Sequence, residues 1–574
     1  MTRTMRDPRR WSLILALLLS LPFLDKAYHI DDANFLHLAE QAQQSPLGLY
    51  HAAINWGGSA ERAFDVLSNP PGVAWWLALV RKLGGSAEWL AHLSLWPFLA
   101  MTLEGMRRLA QRFLPEPEAW GDWPALLLLF SPALFLASQT MMPELPLVGC
   151  YALGLALTLE GYATHALRTV ICGSLLAGAA ALFRYSGLTV LPLLLLYGVL
   201  FRPARRLWWL SLLLVALPSV LWAALSTVEY GRPHLLAMVG FQTEHAEASF
   251  GLHKGLYQLT SLGLALVLPG LGVLLGVLFG ALFGVSWGGV QQRTRRVWGL
   301  GGLALGGLGG LTVALHTGVP TFSCLLLVLG MGLGGAVLGW ALEALRPGVR
   351  GGRWRRLLTG RGGQDAELCF LACWLLGVLL FNQSLRFASV RYLLPGAVPA
   401  LLLVLRRGTW ASHPLWLAWA CRLGGGLGLL VSLALASADQ QLANAYRAGV
   451  ERLPPLEGTR YFVGHWGMQY YLERAGALPL SEREPPLLKP GDQLVSAGHP
   501  WPQQPEHLPP RRVLGRWPVT PWPGLWTVSL EGRGCFYAFL LAPGPTPAYL
   551  PFAWGSGELD ALVLEEVVAQ EVQK

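Results

Sequence analysis

"NPPGVAWWLALVRKLGG", residues 69–85, is an apolar stretch that either crosses a membrane or lies along one, and the topology of the chain turns on which. It opens on two prolines, carries Trp75 and Trp76, and ends with Arg81 and Lys82 before a glycine pair. Around it the chain is apolar almost throughout. Of 574 residues, 53% are hydrophobic and only 13% are charged, about half the charged share of an ordinary soluble domain. Apolar runs recur at 11–24, 88–106, 123–139, 143–160, 169–183, 187–201, 208–227, 257–285, 299–317, 321–343, 366–382, 391–405 and 412–437. They predict an all-α polytopic membrane protein with about 13 transmembrane helices.

Parity decides the ambiguous stretch. If 69–85 does not cross, the basic links all fall on the side of the N-terminus: Arg107/Arg108/Arg112, Arg168, Arg202/Arg205/Arg206, Arg293/Arg295/Arg296, the run 346–361 and Arg406/Arg407. That is the positive-inside pattern. If it does cross, every later cluster is turned outward. The stretch is therefore read as a helix at the outer interface, its Trp pair in the lipid boundary and Arg81 and Lys82 snorkelling. The net charge of +9 resides in these links, so it orients the chain and does not mark a nucleic-acid binder. The first 27 residues carry the basic and apolar regions of a signal peptide without a small-x-small cleavage site, and are read as an uncleaved first helix with a cytoplasmic N-terminus. Short links and basic-inside charge suit a bacterial inner membrane. After about residue 438 the composition shifts to Pro, Glu and Tyr with short alternating runs, which predicts a small α/β extracytoplasmic domain. The expected division is 1–437, with an outer loop at 25–87, and 438–574.

With sides assigned, the ionisable residues sort. Asp31 and Asp32 in "YHIDDANFLHLAEQ" (28–41), Glu144 in "SQTMMPELPLVG" (138–149), Arg184 in "ALFRYSGLTVLP", and Arg386 and Arg391 in "NQSLRFASVRYLLP" gather on the outer face. Charges at membrane depth are expensive unless they pair or line a cavity, so such residues are functional candidates. A carboxylate there can take a proton from an acceptor hydroxyl, and guanidinium forks match phosphate oxygens. Rim placement favours an enzyme with a lipid substrate over a transporter, which needs charge near the midplane.

"HIDDANF", the 69–85 stretch, "SPALFLASQTMMPELPL", "ALFRYSGLTVLPLLLL" and "RYLLPGAVPALLL" follow one another in an order that resembles the GT-C glycosyltransferases, in the bacterial branch similar to protein O-mannosyltransferases and aminoarabinose transferases. The resemblance covers roughly residues 10–440. It implies the GT-C fold, a polyprenyl-phosphate sugar donor, inversion at the anomeric carbon, and catalysis on the extracytoplasmic face. It assigns the catalytic carboxylate to Asp31, with Asp32 and Glu144 as further catalytic acids, and donor-phosphate contacts to Arg184, Tyr185 and Arg391. Four positions depart from the family pattern: Asp32 is commonly Glu, Glu144 commonly Asp, Arg184 often Lys, and Asn69-Pro70-Pro71 replaces His-Pro-Pro.

Structural roles compete at each position. Asp32 before "ANFLHLAEQAQQ" can serve as an N-cap, contributing about 1 kcal/mol, and Glu144 can simply occupy a favoured first helical turn. Arg184 can snorkel; Arg386 and Lys254 read as surface charges. His29, Asp31 and His51 are a candidate set for a divalent cation, with His37 nearby, although their spacing is not diagnostic. The seven cysteines form no disulfide or zinc framework. The acceptor, whether protein, lipid or glycan, is not encoded in any motif. The rival functional reading is a transporter or flippase of lipid-linked saccharide, against which the absence of internal repeats counts; a third is a scaffold acting through its tail.

Overall fold

Among the described residues every predicted apolar run is mainly helical, and prolines mark the main breaks. The computed structural model describes residues 11–244, 251–282, 290–346, 363–408, 414–455, 458–503, 505–542 and 546–569. The basic run after Arg346 and the side chains at 293–296 lie outside that set. Among the described residues, six helices are long and apolar enough to cross a membrane, and a seventh candidate is Gly251–Leu266 with Leu268–Gly276, bent by 60°. This is an integral membrane protein. The bend falls at Leu268–Gly270, where Pro269 has no N–H to continue the ladder. The predicted run 123–139 is likewise two helices, Trp123–Leu129 and Pro132–Ala137, with the Ser131 hydroxyl accepting the Leu134 N–H ahead of the second.

The stretch at 69–85 forms the helix Gly72–Gly84, 13 residues long. At 1.5 Å per residue it reaches about 20 Å, short of the roughly 30 Å hydrocarbon core. It lies against Asp32–Gln44, where Arg81 donates to Glu40 at 2.8 Å. Trp75 donates to the Pro46 carbonyl at 2.7 Å and Trp76 to Ser94 at 3.2 Å. Arg81 is thus an ion-pair partner in place of a snorkelling charge, whereas Lys82 is exposed together with Leu79, Leu83 and Gly84.

One helix fixes which charged groups share an end of the bundle. Glu144–Thr164 starts with Glu144 and carries Glu160 in its last turns, about 24 Å further along the axis. At the Glu160 end, Arg108 pairs with Glu160 and Glu104, Arg112 and Arg406 share Glu367, and Arg407 meets Glu343. Four of the arginines in the predicted basic links therefore gather at one end. Glu144, Arg184, Arg391 and Asp31 gather at the other.

The last helix, Pro414–Glu451, runs without interruption through the expected boundary near 437 and leads into a strand-rich region. Its five-stranded sheet has the order Leu478–Pro479, Arg460–Phe462, Gln493–Ser496, Asp560–Val567, Arg511–Val519; the first two pairings are parallel and the last two antiparallel. The helix Trp466–Arg474 follows the Arg460–Phe462 strand and packs on Asp32–Gln44. Gly467 lies so close to the Tyr28 backbone that a Cβ there would stand 1.7 Å from the Tyr28 carbonyl oxygen.

Candidate active site

Asp31 closes the turn ahead of the helix Asp32–Gln44 and makes no capping bond with its side chain. The preceding Ile30 is held at φ 51°, a conformation unfavourable for a β-branched residue and tolerated where surrounding packing enforces it. Asp32 is wholly buried. One of its oxygens accepts the His29 N–H at 2.9 Å and the other the Met141 N–H at 2.8 Å. The expected N-cap role is not what its carboxylate does: it ties the first outer loop to the 138–143 turn, because both oxygens are taken by amides outside its own helix. Burial pushes the Asp32 carboxyl up to about 7, against the opposing pull of the His29 amide, Lys26 and the Met141 amide. Asp31 keeps 31% of its side chain exposed. Its carboxyl is also raised by burial, with Arg391 pulling the other way and Glu144 adding to the rise.

Glu144 begins its helix directly after Pro143, and its side chain is fully buried. Its Oε1 accepts from Arg184 Nη1 at 2.7 Å, while Oε2 has no hydrogen-bond partner. Arg184 ends the helix Leu167–Phe183 in an extended conformation, and its guanidinium lies 3.6 Å above the Tyr392 ring centroid. Arg391 lies in the 3₁₀ turn Val390–Leu393, with its backbone N–H capped by Ser389. Its guanidinium is 3.8 Å from Asp31 Oδ2 and 3.8 Å from Glu144 Oε2. The bonds it does make are weak: Ser389 Oγ at 3.3 Å, Met142 Sδ at 3.0 Å and the Tyr537 carbonyl at 3.5 Å. A buried guanidinium normally saturates its five donors. This one stands between two carboxylates, just outside hydrogen-bonding range of both.

The other expected site residues lie elsewhere. The Tyr185 hydroxyl is 2.7 Å from His234 Nδ1 and accepts from Trp222 Nε1 at 3.1 Å, within an aromatic cluster that includes Tyr50. The ring that lies against Arg184 is that of Tyr392. His51 is 53% exposed and meets Glu229 at 3.0 Å. His29 is fully buried, 3.6 Å from Asp439, and its imidazole is lowered by burial. His29, Asp31 and His51 therefore do not converge, and among the described residues no group of three or more His, Cys, Asp or Glu is placed to hold a metal ion. Lys254 is not a surface charge. It is buried and donates to the carbonyls of Gln383 and Leu385 at 3.0 and 2.8 Å, at the end of the helix Gly363–Ser384, where a cation is favoured.

Several partners escape sequence reading. Asp439, late in the last helix, accepts from Lys26 at 2.6 Å, from Tyr537 at 2.6 Å and from Thr527 at 2.7 Å. His465, anchored to Gln469 at 3.2 Å and Gln503 at 2.5 Å, is close enough to Asp31 to act on its carboxyl electrostatically. Trp466 packs edge-on to His29 with centroids 5.5 Å apart, and Tyr471 accepts the Tyr28 N–H at 2.9 Å. The tail thus lies directly on the turn that carries Asp31.

Three solved structures are similar to this chain. ArnT from Cupriavidus metallidurans bound to undecaprenyl phosphate aligns with a TM-score of 0.40 and 15% identity, over 85% of this chain and 92% of that one. The Archaeoglobus fulgidus oligosaccharyltransferase tethered to an acceptor peptide aligns at 0.36 and 13%, over 82% of this chain and 63% of that one. The arabinofuranosyltransferase AftD from Mycobacteria aligns at 0.37 and 15%, over 98% and 40%. No family model matches the chain, and no curated protein does.

Proposed function

We propose that the protein is an integral membrane glycosyltransferase of the GT-C type, moving a sugar from a polyprenyl-phosphate donor to an acceptor hydroxyl on the extracytoplasmic face. The observation that carries this reading is Arg391: a buried guanidinium with unspent donors, 3.8 Å from each of two carboxylates. An anion with oxygens to offer fits those donors, and a hydroxyl fits the carboxylate beside them. The resemblance of the sequence supplies the donor class.

In this mechanism Asp31, the more exposed acid, accepts the proton of the acceptor hydroxyl as that oxygen attacks the anomeric carbon. The carbon–oxygen bond to phosphate breaks in the same displacement, so the configuration inverts. The phosphate leaves with the bonding pair, and Arg391 stabilises the charge it gains. Arg184, oriented by the Tyr392 face and by Glu144, provides the second guanidinium. The free Oε2 of Glu144 accepts a hydrogen bond from the acceptor or the sugar. Asp32 positions Asp31 through its two backbone bonds and touches no reacting atom. No step runs through a metal, since the candidate ligands stand apart. Residues 1–437 would hold the chemistry, with 438–574 extracytoplasmic in a bacterial cytoplasmic membrane and the N-terminus on the cytoplasmic side.

The test is transfer from a panel of radiolabelled polyprenyl-phosphate sugars into membranes containing wild-type or Asp31→Asn protein at matched expression. Transfer that depends on the wild-type chain and is abolished in the variant is the expected result. Undiminished transfer by Asp31→Asn would overturn the mechanism.

A further inference from the structure

The strand-rich tail has one apolar face that is largely exposed among the described residues. Strands Gly524–Trp526 and Ala553–Gly555 pair antiparallel, with Leu525 opposite Trp554. Alternation places Trp526 and Ala553 inward, both buried, and Leu525 and Trp554 outward. Trp554 is 49% exposed and the neighbouring Trp522 is 76% exposed. Leu530, at the end of the next strand segment, is exposed as well. No charged residue occurs between Arg516 and Glu531, or between Arg533 and Glu558, so the segments carrying this face are charge-free.

Its position relative to the helices says what it meets. The Trp554 ring packs edge-on against Phe322, in the first turn of the membrane-crossing candidate Thr321–Leu345, with centroids 5.5 Å apart. From Phe322 an exposed stripe of Leu325 and Leu329 runs along that helix at helical spacing. On the last helix, exposed Trp419, Leu423, Leu427 and Leu430 form a second stripe. About 20 residues from Ala418, the length that spans a bilayer, that helix approaches Gln441, which accepts the Trp522 N–H at 2.9 Å. The strand pair thus adjoins both helices, at the first turn of one and about 16 Å along the axis beyond Leu430 on the other. A tryptophan resting on the first turn of a crossing helix lies at bilayer-surface depth whichever way the chain is oriented.

We infer that the strand pair is a lipid-binding surface, with Trp522, Leu525, Leu530 and Trp554 seated in the headgroup–acyl boundary of the bilayer. Tryptophan is favoured there because its ring is amphipathic, and the charges that bound both segments, Glu531, Arg533 and Glu558, fall where the headgroups begin. The same region carries Tyr537, which bonds Asp439 and offers its carbonyl to Arg391. Seating it in lipid therefore fixes one wall of the candidate site. The inference stands on geometry alone and does not need the glycosyltransferase reading.

The experiment places a nitroxide at Trp522→Cys or Trp554→Cys, in a background carrying Cys172→Ala, Cys324→Ala and Cys373→Ala, and reconstitutes the full chain into phosphatidylethanolamine–phosphatidylglycerol vesicles. Leu487→Cys, on a tail residue 86% exposed and outside the strand pair, is the reference. The ratio of oxygen to nickel-chelate accessibility should be clearly higher at 522 and 554 than at 487, because oxygen partitions into lipid and the polar chelate is excluded from it. Equal ratios would overturn the inference, as would dipolar broadening that reports a second copy of the chain on this face. Should the cysteine variants misfold, the conservative double variant Trp522→Phe/Trp554→Phe is compared with wild type in brominated-lipid vesicles. Loss of part of the lipid-quenchable fluorescence supports the seat, and an unchanged quenched component refutes it.

Discussion

Gly467→Ala is a change of one methyl group, far from Asp31 in sequence, and it is expected to disable the enzyme. The added Cβ would stand 1.7 Å from the Tyr28 carbonyl oxygen and 3.3 Å from the His29 Cα. Ordinary contact begins near 3.4 Å, so tail and loop must separate by about 1.7 Å. Both obstructing atoms are backbone, and no side-chain rotation relieves them. Overpacking of this kind costs about 1–3 kcal/mol, which a folded chain held by many other contacts can absorb. The site absorbs it less well: Tyr28 is three residues from Asp31, whose carboxylate must keep its place beside Arg391. A misplacement of about 1 Å lowers a well-aligned rate by roughly 10²-fold, so transfer should fall by at least that factor while thermal stability changes modestly. Gly377→Ala, at a helical position where a Cβ meets nothing within 4 Å, is the control and should leave both unchanged. The assay is initial transfer rate with matched melting curves. A Gly467→Ala protein with a wild-type rate would refute the claim that the tail sets the position of Asp31.

Four further outcomes follow from the same geometry. Arg391→Lys keeps the charge but loses the fork, and should lower kcat/KM by about 10²-fold with the fold intact. Transfer should increase with pH along a limb displaced above the ordinary carboxylate range, since burial raises Asp31; a limb near pH 4 would remove Asp31 as the base. Asp32 is raised to about 7, so its stabilising effect is complete below about pH 4 and fades as pH climbs through 7; Asp32→Asn should flatten that part of the stability profile in chemical denaturation. Lys26→Met leaves Asp439 a buried carboxylate without its cation, and should destabilise by about 3–5 kcal/mol. The double change Lys26→Met/Asp439→Leu should recover only part of that loss in the thermal assay, because the buried Tyr537 and Thr527 hydroxyls lose their acceptor.

Much of the bundle was legible because membrane helices announce themselves by length and composition. The short helix at 69–85 was readable from prolines, a glycine pair and the parity of the basic links, and its observed length agrees with lying flat. Asp31, Glu144, Arg184 and Arg391 could be brought together on paper because each closes or opens a helix at the same end. The Tyr392 ring beneath Arg184 had no signal, since no periodicity tells which side chain an arginine will lie on. Lys254 looked exposed because a polar loop flanks it, and only the folded chain reveals the carbonyls that bind it. The tail's hold on the first loop had no local signal at all. Neither "LDKAYH" nor "ASADQQ" suggests a partner, and a composition shift near 438 reads as a boundary even though contacts cross it freely.

That hold has a consequence in time. Lys26 and Asp439 are separated by 413 positions, so at roughly 5–20 residues per second a ribosome needs about 20 to 80 s to deliver the second after the first. Through that interval the ammonium has no counter-ion, and hydrocarbon is closed to it; it must wait in water at the membrane surface. The turn bearing Asp31, five residues on, waits with it. Most of the bundle can insert and pack as it emerges, but its reactive rim is finished last, when the C-terminal strands arrive to close over a loop made at the very beginning.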